Sequence, residues 1–262
     1  MIGVFDSGVG GLSVLKALRA ELPHEDFIYI ADSGHAPYGE RDDTHVIARS
    51  QAITAHLVAQ NVKALVIACN TATAAAIDLL RAQYPVLPII GVEPALKPAV
   101  ALSSTGRIGI MATRGTLASS KFRALVDAQR GQTALVLQPC DGLADAIERN
   151  DTASIKALCE RYTRAMGSFG GRQDEIDTLV LGCTHYPFAV AQLRDLLGPD
   201  VQLVDTGDAV ARQTRKRLDA GVSGGAIPSG RVRLFATASP AGLEAAAQRW
   251  LGVSAAAELL SF

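Results

Sequence analysis

The chain has 262 residues, of which 48% are hydrophobic and 19% are charged. This composition is typical of globular proteins and excludes extended disorder. A net charge of −1 argues against binding to nucleic acid or to an anionic membrane. No apolar run reaches the ~20 residues of a membrane span, and Asp6 interrupts the apolar start, unlike a signal peptide. Four cysteines without a CxxC motif predict free thiols, and therefore a cytoplasmic protein.

Short apolar segments alternate along the chain with longer segments rich in alanine and leucine. This alternation predicts parallel sheets covered by helices, that is, an α/β fold. In chain order the predicted elements are strand Ile2–Phe5, helix Leu12–Glu21, strand Phe27–Ala31, helix Thr44–Gln60, strand Ala64–Ala68, helix Thr71–Gln83, strand Pro88–Gly91, helix Pro94–Ala101, strand Arg107–Met111, helix Ser119–Gln129, strand Ala134–Gln138, helix Leu143–Arg149, helix Thr152–Met166, strand Thr178–Leu181, helix Phe188–Leu197, strand Val201–Val204, helix Asp208–Ala220, strand Val232–Ala236 and helix Pro240–Leu251.

The two halves of the sequence repeat each other. The segment that begins at Ile2 matches the one that begins at Ile108, and Ala64–Thr71 matches Thr178–His185. Both matches occur in the same order, and the second includes a cysteine in each half. The repeat predicts two pseudo-symmetric α/β units, each with a cysteine at the carboxyl end of a buried strand.

Every polar motif of the sequence falls at the carboxyl end of a predicted strand, just before a helix. These motifs are Asp6-Ser7-Gly8, Asp32, Cys69-Asn70-Thr71, Thr113 and Cys183-Thr184-His185. Ligands of open α/β sheets bind at such ends, and helix N-termini there favour anions and thiolates. Two thiols suit a two-base reaction, in which one removes a proton from carbon and the other returns a proton to the opposite face.

Three other interpretations of these motifs are weaker. The glycines after Asp6 suggest a dinucleotide loop, but Ser13 stands in place of the third glycine and Asp6 would crowd a pyrophosphate. Cys183 and His185 suggest zinc, but no further ligand pair has suitable spacing. Buried cysteines are also common in protein cores, and that is the role expected for Cys140 and Cys159.

Taken together, the motifs resemble those of the glutamate racemases, in the cofactor-independent aspartate/glutamate racemase superfamily. The matching segments are FDSGVGGLSV at 5–14, ADSGHAPYG at 31–39, ACNTAT at 68–73, GIMATRGT at 109–116, LGCTHYP at 181–187 and DTGD at 205–208. They extend over most of the chain in the family's order. The resemblance implies two α/β domains, residues 1–92 with 207–262 and residues 93–206, with the active site in the cleft between them.

The resemblance also assigns roles to individual residues. Cys69 would remove the α-proton of D-glutamate with Asp6 as its acidic helper, and Cys183 that of L-glutamate with His185 as its helper. Glu148 would orient the histidine. The residues expected to bind the amino acid are Asp6, Ser7, Tyr38, Gly39, Asn70, Thr71, Thr113, Thr184 and His185. Neither a cofactor nor a metal ion is expected.

The resemblance further implies an isomerase that supplies D-glutamate for peptidoglycan, and so for cell wall biogenesis and cell shape. Glutamate is the expected partner, and the sequence leaves a homodimer open. One alternative is another two-cysteine racemase or isomerase, acting on aspartate, a hydantoin or maleate; His185 and the DSGVGG loop argue against it. The other is a non-catalytic amino-acid-binding protein, which would have no need of two such cysteines.

Overall fold

The computed structural model describes residues 1–129, 131, 133–219 and 229–262. These residues form two compact units, Met1–Val92 with Gly207–Phe262, and Glu93–Thr206. Each unit contains a parallel sheet with helices between its strands. The predicted α/β class with mainly parallel sheets is therefore confirmed. None of the helices in the described part of the chain is long and apolar enough to cross a membrane.

The elements follow one another as strand and helix, with two short 3₁₀ segments at Tyr38–Glu40 and Tyr186–Ala189. In chain order they are β1 Ile2–Asp6, α1 Leu12–Glu21, β2 Phe27–Ala31, α2 Asp43–Ala59, β3 Ala64–Ile67, α3 Asn70–Gln83, β4 Ile89–Gly91, α4 Leu96–Leu102, β5 Arg107–Ala112, α5 Arg114–Ala118, α6 Ser120–Asp127, β6 Ala134–Pro139, α7 Leu143–Glu148, α8 Thr152–Met166, β7 Thr178–Gly182, α9 Val190–Leu197, β8 Gln202–Val204, α10 Gly207–Asp219, β9 Val232–Ala236, α11 Pro240–Leu251 and β10 Ala257–Leu259.

The sheet of the first unit has the strand order β10-β9-β2-β1-β3-β4 among the described residues, and all neighbouring strands are parallel. Its central strands are apolar and buried along their whole length, as expected for strands covered on both faces. Strands β9 and β10 join this sheet beside β2 although they come from the far end of the sequence. All the carboxyl ends of a parallel sheet lie along one edge.

The sheet of the second unit repeats the central part of the first. Its strand order is β6-β5-β7-β8, which corresponds strand for strand to β2-β1-β3-β4. The register agrees as well, because Ile2 lies opposite Ala64 in one sheet and Ile108 opposite Thr178 in the other. These are the residues that the sequence repeat aligns. The repeat therefore extends from the sequence to the pairing of the strands.

Several element boundaries differ from the prediction. The structure adds α5 in front of the predicted helix that begins at Ser119, since Thr113 and Ser119 each cap a separate helix with their hydroxyl oxygens. The helix predicted from Phe188 starts as the second 3₁₀ segment. Strand β10 lies in a tail without a marked apolar pattern, so the sequence did not predict it. The predicted helix end at Ala220 lies outside the described residues.

Candidate active site

In the first unit, the carboxylate of Asp6 organises the glycine-rich loop between β1 and α1. Asp6 is fully buried; its Oδ1 accepts a hydrogen bond from the amide of Ser7 at 2.7 Å and its Oδ2 one from the amide of Gly11 at 2.5 Å. A side chain at position 11 would come within 2.7 Å of the Asp6 Cβ and 2.9 Å of the Tyr29 hydroxyl. Glycine is thus required there for close packing. Because Asp6 engages these two amides, they are not free to bind a dinucleotide phosphate.

Cys69 follows β3 and forms the N-cap of α3. Its backbone is extended, and its buried Sγ accepts a hydrogen bond from the amide of Ala72 at 3.5 Å. The N-terminus of a helix stabilises negative charge on such a sulfur atom. Asn70 and Thr71 form the first turn of the helix and are buried as well. Within the described residues the buried Nδ2 of Asn70 has no hydrogen-bond partner, which is unusual for a buried donor and typical of a ligand-binding position.

Tyr38 begins the first 3₁₀ segment and belongs to the same buried cluster as Cys69. Its hydroxyl donates to Asp32 Oδ2 at 2.5 Å. Burial raises the pKa of Tyr38, and negative charge on Asp32 raises it further, so the phenol remains a neutral donor. Gly39, the next residue, lies in the same segment. Asp32, which directly follows β2 as the sequence indicated, thus fixes the Tyr38 hydroxyl.

In the second unit, three of the predicted residues form one connected group. Cys183 follows β7; its Sγ lies 3.7 Å from His185 Nδ1, and His185 Nε2 lies 2.8 Å from Glu148 Oε2 at the end of α7. Burial by itself lowers the pKa of His185, but the hydrogen bonds to Cys183 and Glu148 outweigh it and raise that pKa well above its ordinary value. At neutral pH the ring is therefore protonated and donates to the Cys183 sulfur through Nδ1 and to Glu148 Oε2 through Nε2.

Two threonines lie at the same sheet edge as Cys183. Ala112 at the end of β5 is opposite Gly182 at the end of β7, so Thr113 and Cys183 are the next residues on neighbouring strands. The Thr113 hydroxyl accepts the amide of Thr116 at 3.2 Å and lies 2.9 Å from the Thr116 hydroxyl. Thr184 is buried directly after Cys183.

The other two cysteines lie in the core of the second unit. Cys140 is buried after β6, and its thiol donates to the carbonyl of Gln138 at 3.3 Å. Cys159 is buried within α8. Burial raises the pKa of both thiols, that of Cys159 to about 11. Since buried neutral thiols are poor bases near neutral pH, Cys140 and Cys159 have the core role that the sequence predicted.

Sequence reasoning missed two residues of the first unit. Arg49, in the middle of α2, binds Asp32 with two nitrogens at 2.9 Å each, and the Thr237 hydroxyl donates to Asp32 at 2.8 Å. An arginine within a helix resembles many surface residues, so its own position gave no signal. The signal was Asp32 at the end of a buried strand, because a buried carboxylate requires a cation or several donors nearby.

The site geometry defines a class of protein with two similar α/β units and a cysteine at the end of the corresponding strand in each. Comparison with known proteins gives the same class. The family model for Asp/Glu/hydantoin racemases matches residues 2–214. A glutamate racemase of Methylococcus capsulatus is 51% identical over 221 residues, which cover 84% of this chain and 79% of that protein.

Two solved structures are also similar. The crystal structure of Escherichia coli glutamate racemase in complex with L-glutamate and the activator UDP-MurNAc-ala has a TM-score of 0.86 and 30% identity, covering 100% of this chain and 98% of that one. Glutamate racemase from Francisella tularensis in complex with D-glutamate has a TM-score of 0.82 and 27% identity, covering 99% and 97%. The chain therefore belongs to the Asp/Glu/hydantoin racemase family, and within it to the glutamate racemases, as the motifs predicted.

Proposed function

We propose that the chain interconverts L-glutamate and D-glutamate by proton transfer at Cα, with Cys69 and Cys183 as the two bases and no cofactor. The observation that carries this proposal is the pair of buried cysteines at equivalent positions of two repeated units. Each sulfur lies beside a group that stabilises a thiolate, the N-terminus of α3 for Cys69 and the His185 imidazolium for Cys183. The bound L- and D-glutamate of the two solved relatives support glutamate as the substrate.

The proposed reaction needs one thiolate and one thiol at a time. From D-glutamate, the Cys69 thiolate takes the α-hydrogen as a proton, and the electron pair of the broken C–H bond is delocalised into the α-carboxylate. The Cys183 thiol then gives its proton to the opposite face of the same carbon, which yields L-glutamate. Cys69 is left as the thiol and Cys183 as the thiolate, which is the state needed for the reverse reaction. A thiol suits both steps because its pKa lies near the working pH.

Three acidic or basic residues assist the cysteines in this proposal. The His185 imidazolium stabilises the Cys183 thiolate, and Glu148 orients the ring through its bond to Nε2. Asp6, whose two oxygens accept backbone amides, is the acidic helper at the Cys69 end. Since the two helpers differ, the proposal predicts that the two proton transfers respond differently to substitution.

In this proposal the amino acid is bound by hydroxyl, side-chain amide and backbone N–H groups, together with Asp6 and His185. We assign substrate binding to Asp6, Ser7, Tyr38, Gly39, Asn70, Thr71, Thr113, Thr184 and His185. The unpartnered Nδ2 of Asn70 supports this assignment, because a ligand carboxylate would supply the missing acceptor. Backbone amides at the N-terminus of α3 add further donors for an anion. In this proposal the first unit binds a carboxylate of the substrate through side-chain and backbone N–H donors.

We further propose that the D-glutamate serves peptidoglycan synthesis, and that the reaction takes place in the cytoplasm. Glutamate is the proposed partner of the protein, and binding to nucleic acid is not part of the proposal. The membership in the glutamate racemases supports the first part. The second is supported by the cysteines, which form no disulfide bond within the described residues, because thiols stay reduced in that compartment.

Circular dichroism of the purified protein with L-glutamate, and separately with D-glutamate, tests the proposed reaction. We expect the signal to decay to zero from both starting points with no cofactor added and with a chelator present. Decay with aspartate or a hydantoin but not with glutamate would change the substrate. An unchanged signal with every amino acid, together with protection of the thiols by glutamate, would indicate an amino-acid-binding protein rather than an enzyme.

A further inference from the structure

Asp32 is the centre of a buried network that the proposed reaction does not use directly. Its carboxylate accepts four hydrogen bonds, two from the Arg49 guanidinium, one from the Tyr38 hydroxyl and one from the Thr237 hydroxyl. The Asp32 side chain is fully buried and that of Arg49 is 14% exposed. Burial by itself raises the pKa of Asp32, but these hydrogen bonds, that of Arg49 foremost, lower it overall. Asp32 is thus a buried ion whose charge is balanced by Arg49.

The carboxy-terminal segment covers the outer side of this network. Strand β10 pairs with β9, and the amide of Leu260 donates to the carbonyl of Ala236 at 2.8 Å. This pairing carries the chain to Phe262, whose ring centre lies 5.2 Å from the Arg49 guanidinium carbon. The same ring meets the imidazole of His56 edge-on at 5.5 Å between centres. A ring over a guanidinium is attractive and limits the positions that the cation can take.

We propose that Arg49 is a positioning residue, which holds Tyr38 in place through Asp32 and is itself held by the ring of Phe262. The inference rests on the proposed function in one respect, the assignment of Tyr38 and Gly39 to substrate binding. It adds two residues that none of the sequence motifs contains. It also gives β10 a role, since this strand brings Phe262 to Arg49.

The geometry of the guanidinium explains why arginine is needed. Its Nε and one terminal nitrogen bind the two oxygens of Asp32 side by side at 2.9 Å each, which fixes the rotation of the carboxylate. The Tyr38 hydroxyl binds the oxygen that also receives Nε. A lysine keeps the charge but offers a single point of contact, so the carboxylate would be free to rotate and Tyr38 would lose its fixed partner.

Substitutions at Arg49 and Phe262 test this inference. We expect Arg49→Lys to raise KM for both enantiomers about tenfold, with kcat changed less than about threefold, since binding is misplaced and the cysteines are intact. Phe262→Ala should act in the same direction by about threefold, and Phe262→Tyr, which keeps the ring, should restore the parent value. Lys63→Met is the control. Lys63 lies just before β3, at the sheet edge opposite to the one where Asp32 lies, and the substitution breaks its exposed ion pair with Glu25.

A second measurement does not depend on activity. Hydrogen exchange of the peptide that covers residues 34–40 should be faster in Arg49→Lys and in Phe262→Ala than in the parent protein, and unchanged in Lys63→Met. Faster exchange in a protein that racemises no glutamate would support the positioning role and overturn the proposed function. Unchanged exchange and unchanged KM in both variants would overturn the positioning role, as would a fall in kcat at constant KM. If Arg49→Lys does not fold, the KM and the hydrogen exchange of Phe262→Ala test the positioning role.

Discussion

The two cysteines lie on equivalent scaffolds but in different electrostatic surroundings. Cys69 and Cys183 each follow the strand next to the first strand of their unit, β3 beside β1 and β7 beside β5. At Cys69 the stabilising groups are the backbone N–H groups at the N-terminus of α3. At Cys183 they are a titratable pair, His185 and Glu148. The repeat thus sets the position of each sulfur, while residues that differ between the two halves, such as His185 at the position that Thr71 occupies in the first half, set the charge around it.

This difference has a consequence for pH. Backbone dipoles do not titrate, so the environment that α3 provides for Cys69 stays constant with pH. The imidazolium beside Cys183 loses its charge when the pH exceeds its raised pKa. We therefore expect the pH dependence of the protein above neutrality to arise mainly in the second unit.

The largest effect is expected from removing either sulfur. Cys69→Ser and Cys183→Ser should each lower racemisation by about a thousandfold or more, because an alcohol is too weakly acidic to serve as the base or the acid. Both variants should fold, since the change is small. Chiral chromatography of the reaction mixture measures the rate, and far-ultraviolet circular dichroism checks the fold. A rate near that of the parent in either variant would exclude the two-base mechanism.

Substituting the two helpers separately should reveal the asymmetry of the site. His185→Asn and Asp6→Asn should each lower kcat by about a hundredfold. In His185→Asn the proton transfer at Cys183 becomes limiting, so the primary isotope effect should grow for L-glutamate deuterated at Cα and shrink for the D enantiomer. Asp6→Asn should show the opposite pattern. Equal isotope effects in both variants would mean that the helpers are not specific to one cysteine.

Glu148→Gln should have a smaller effect. Glutamine keeps a partner for His185 Nε2 but removes the negative charge, so we expect kcat to fall about tenfold, the difference between a charged and a neutral hydrogen bond. The pKa of His185 should fall with it, because Glu148 is one of the groups that raise it. Nuclear magnetic resonance of labelled histidine follows that pKa directly. A pKa of His185 that does not fall would remove Glu148 from its orienting role.

The free energy of unfolding should also depend on pH through the protonation of His185. Its pKa is higher in the folded protein than the ~6.5 of an unfolded chain, so its stabilising contribution is complete below ~6.5 and is lost as the pH rises through the folded value. The loss amounts to about 1.4 kcal/mol for each pH unit by which the pKa of folded His185 exceeds that of the unfolded chain. Urea unfolding at a series of pH values measures it, as the difference between the parent protein and His185→Asn. His35 and His56 do not interfere, because burial lowers their pKa values and they act below ~6.5.

The smallest effect is expected at the cysteine that is buried in a helix. Cys159→Ala should change kcat less than about twofold and destabilise the protein by about 1 kcal/mol, as is common for a small cut in a core. This variant is the control for the two serine substitutions, since it also removes a thiol. A large loss of racemisation in Cys159→Ala would show that activity depends on packing rather than on the particular sulfur atoms.

Much of the fold could be predicted because it depends on local patterns. The helices Leu12–Glu21, Thr152–Met166 and Pro240–Leu251 have the bounds that the sequence predicted. Their apolar spacing and clear ends explain this success. Strand β10 was missed because it is short and its stability comes from pairing with β9 rather than from its own residues.

The site could be predicted as far as its chemistry is written in contiguous motifs. Cys183 and His185 are two residues apart, and their contact follows from the loop after β7. The bond from Arg49 to Asp32 joins a helix to the end of a strand, and the ring of Phe262 reaches Arg49 only through the pairing of β10. Such contacts depend on tertiary structure, so no local pattern in the sequence indicates them.

The most direct test of the two-base reaction follows the source of the new hydrogen. L-glutamate is converted in D₂O to a small extent, the enantiomers are separated, and each is examined by mass spectrometry; the experiment is repeated from D-glutamate. The two-base reaction predicts one deuterium at Cα in the product and none in the remaining substrate, from both directions, because the base that removes the proton is not the acid that returns one. Product that keeps the original hydrogen, or deuterium in both enantiomers at low conversion, would contradict it.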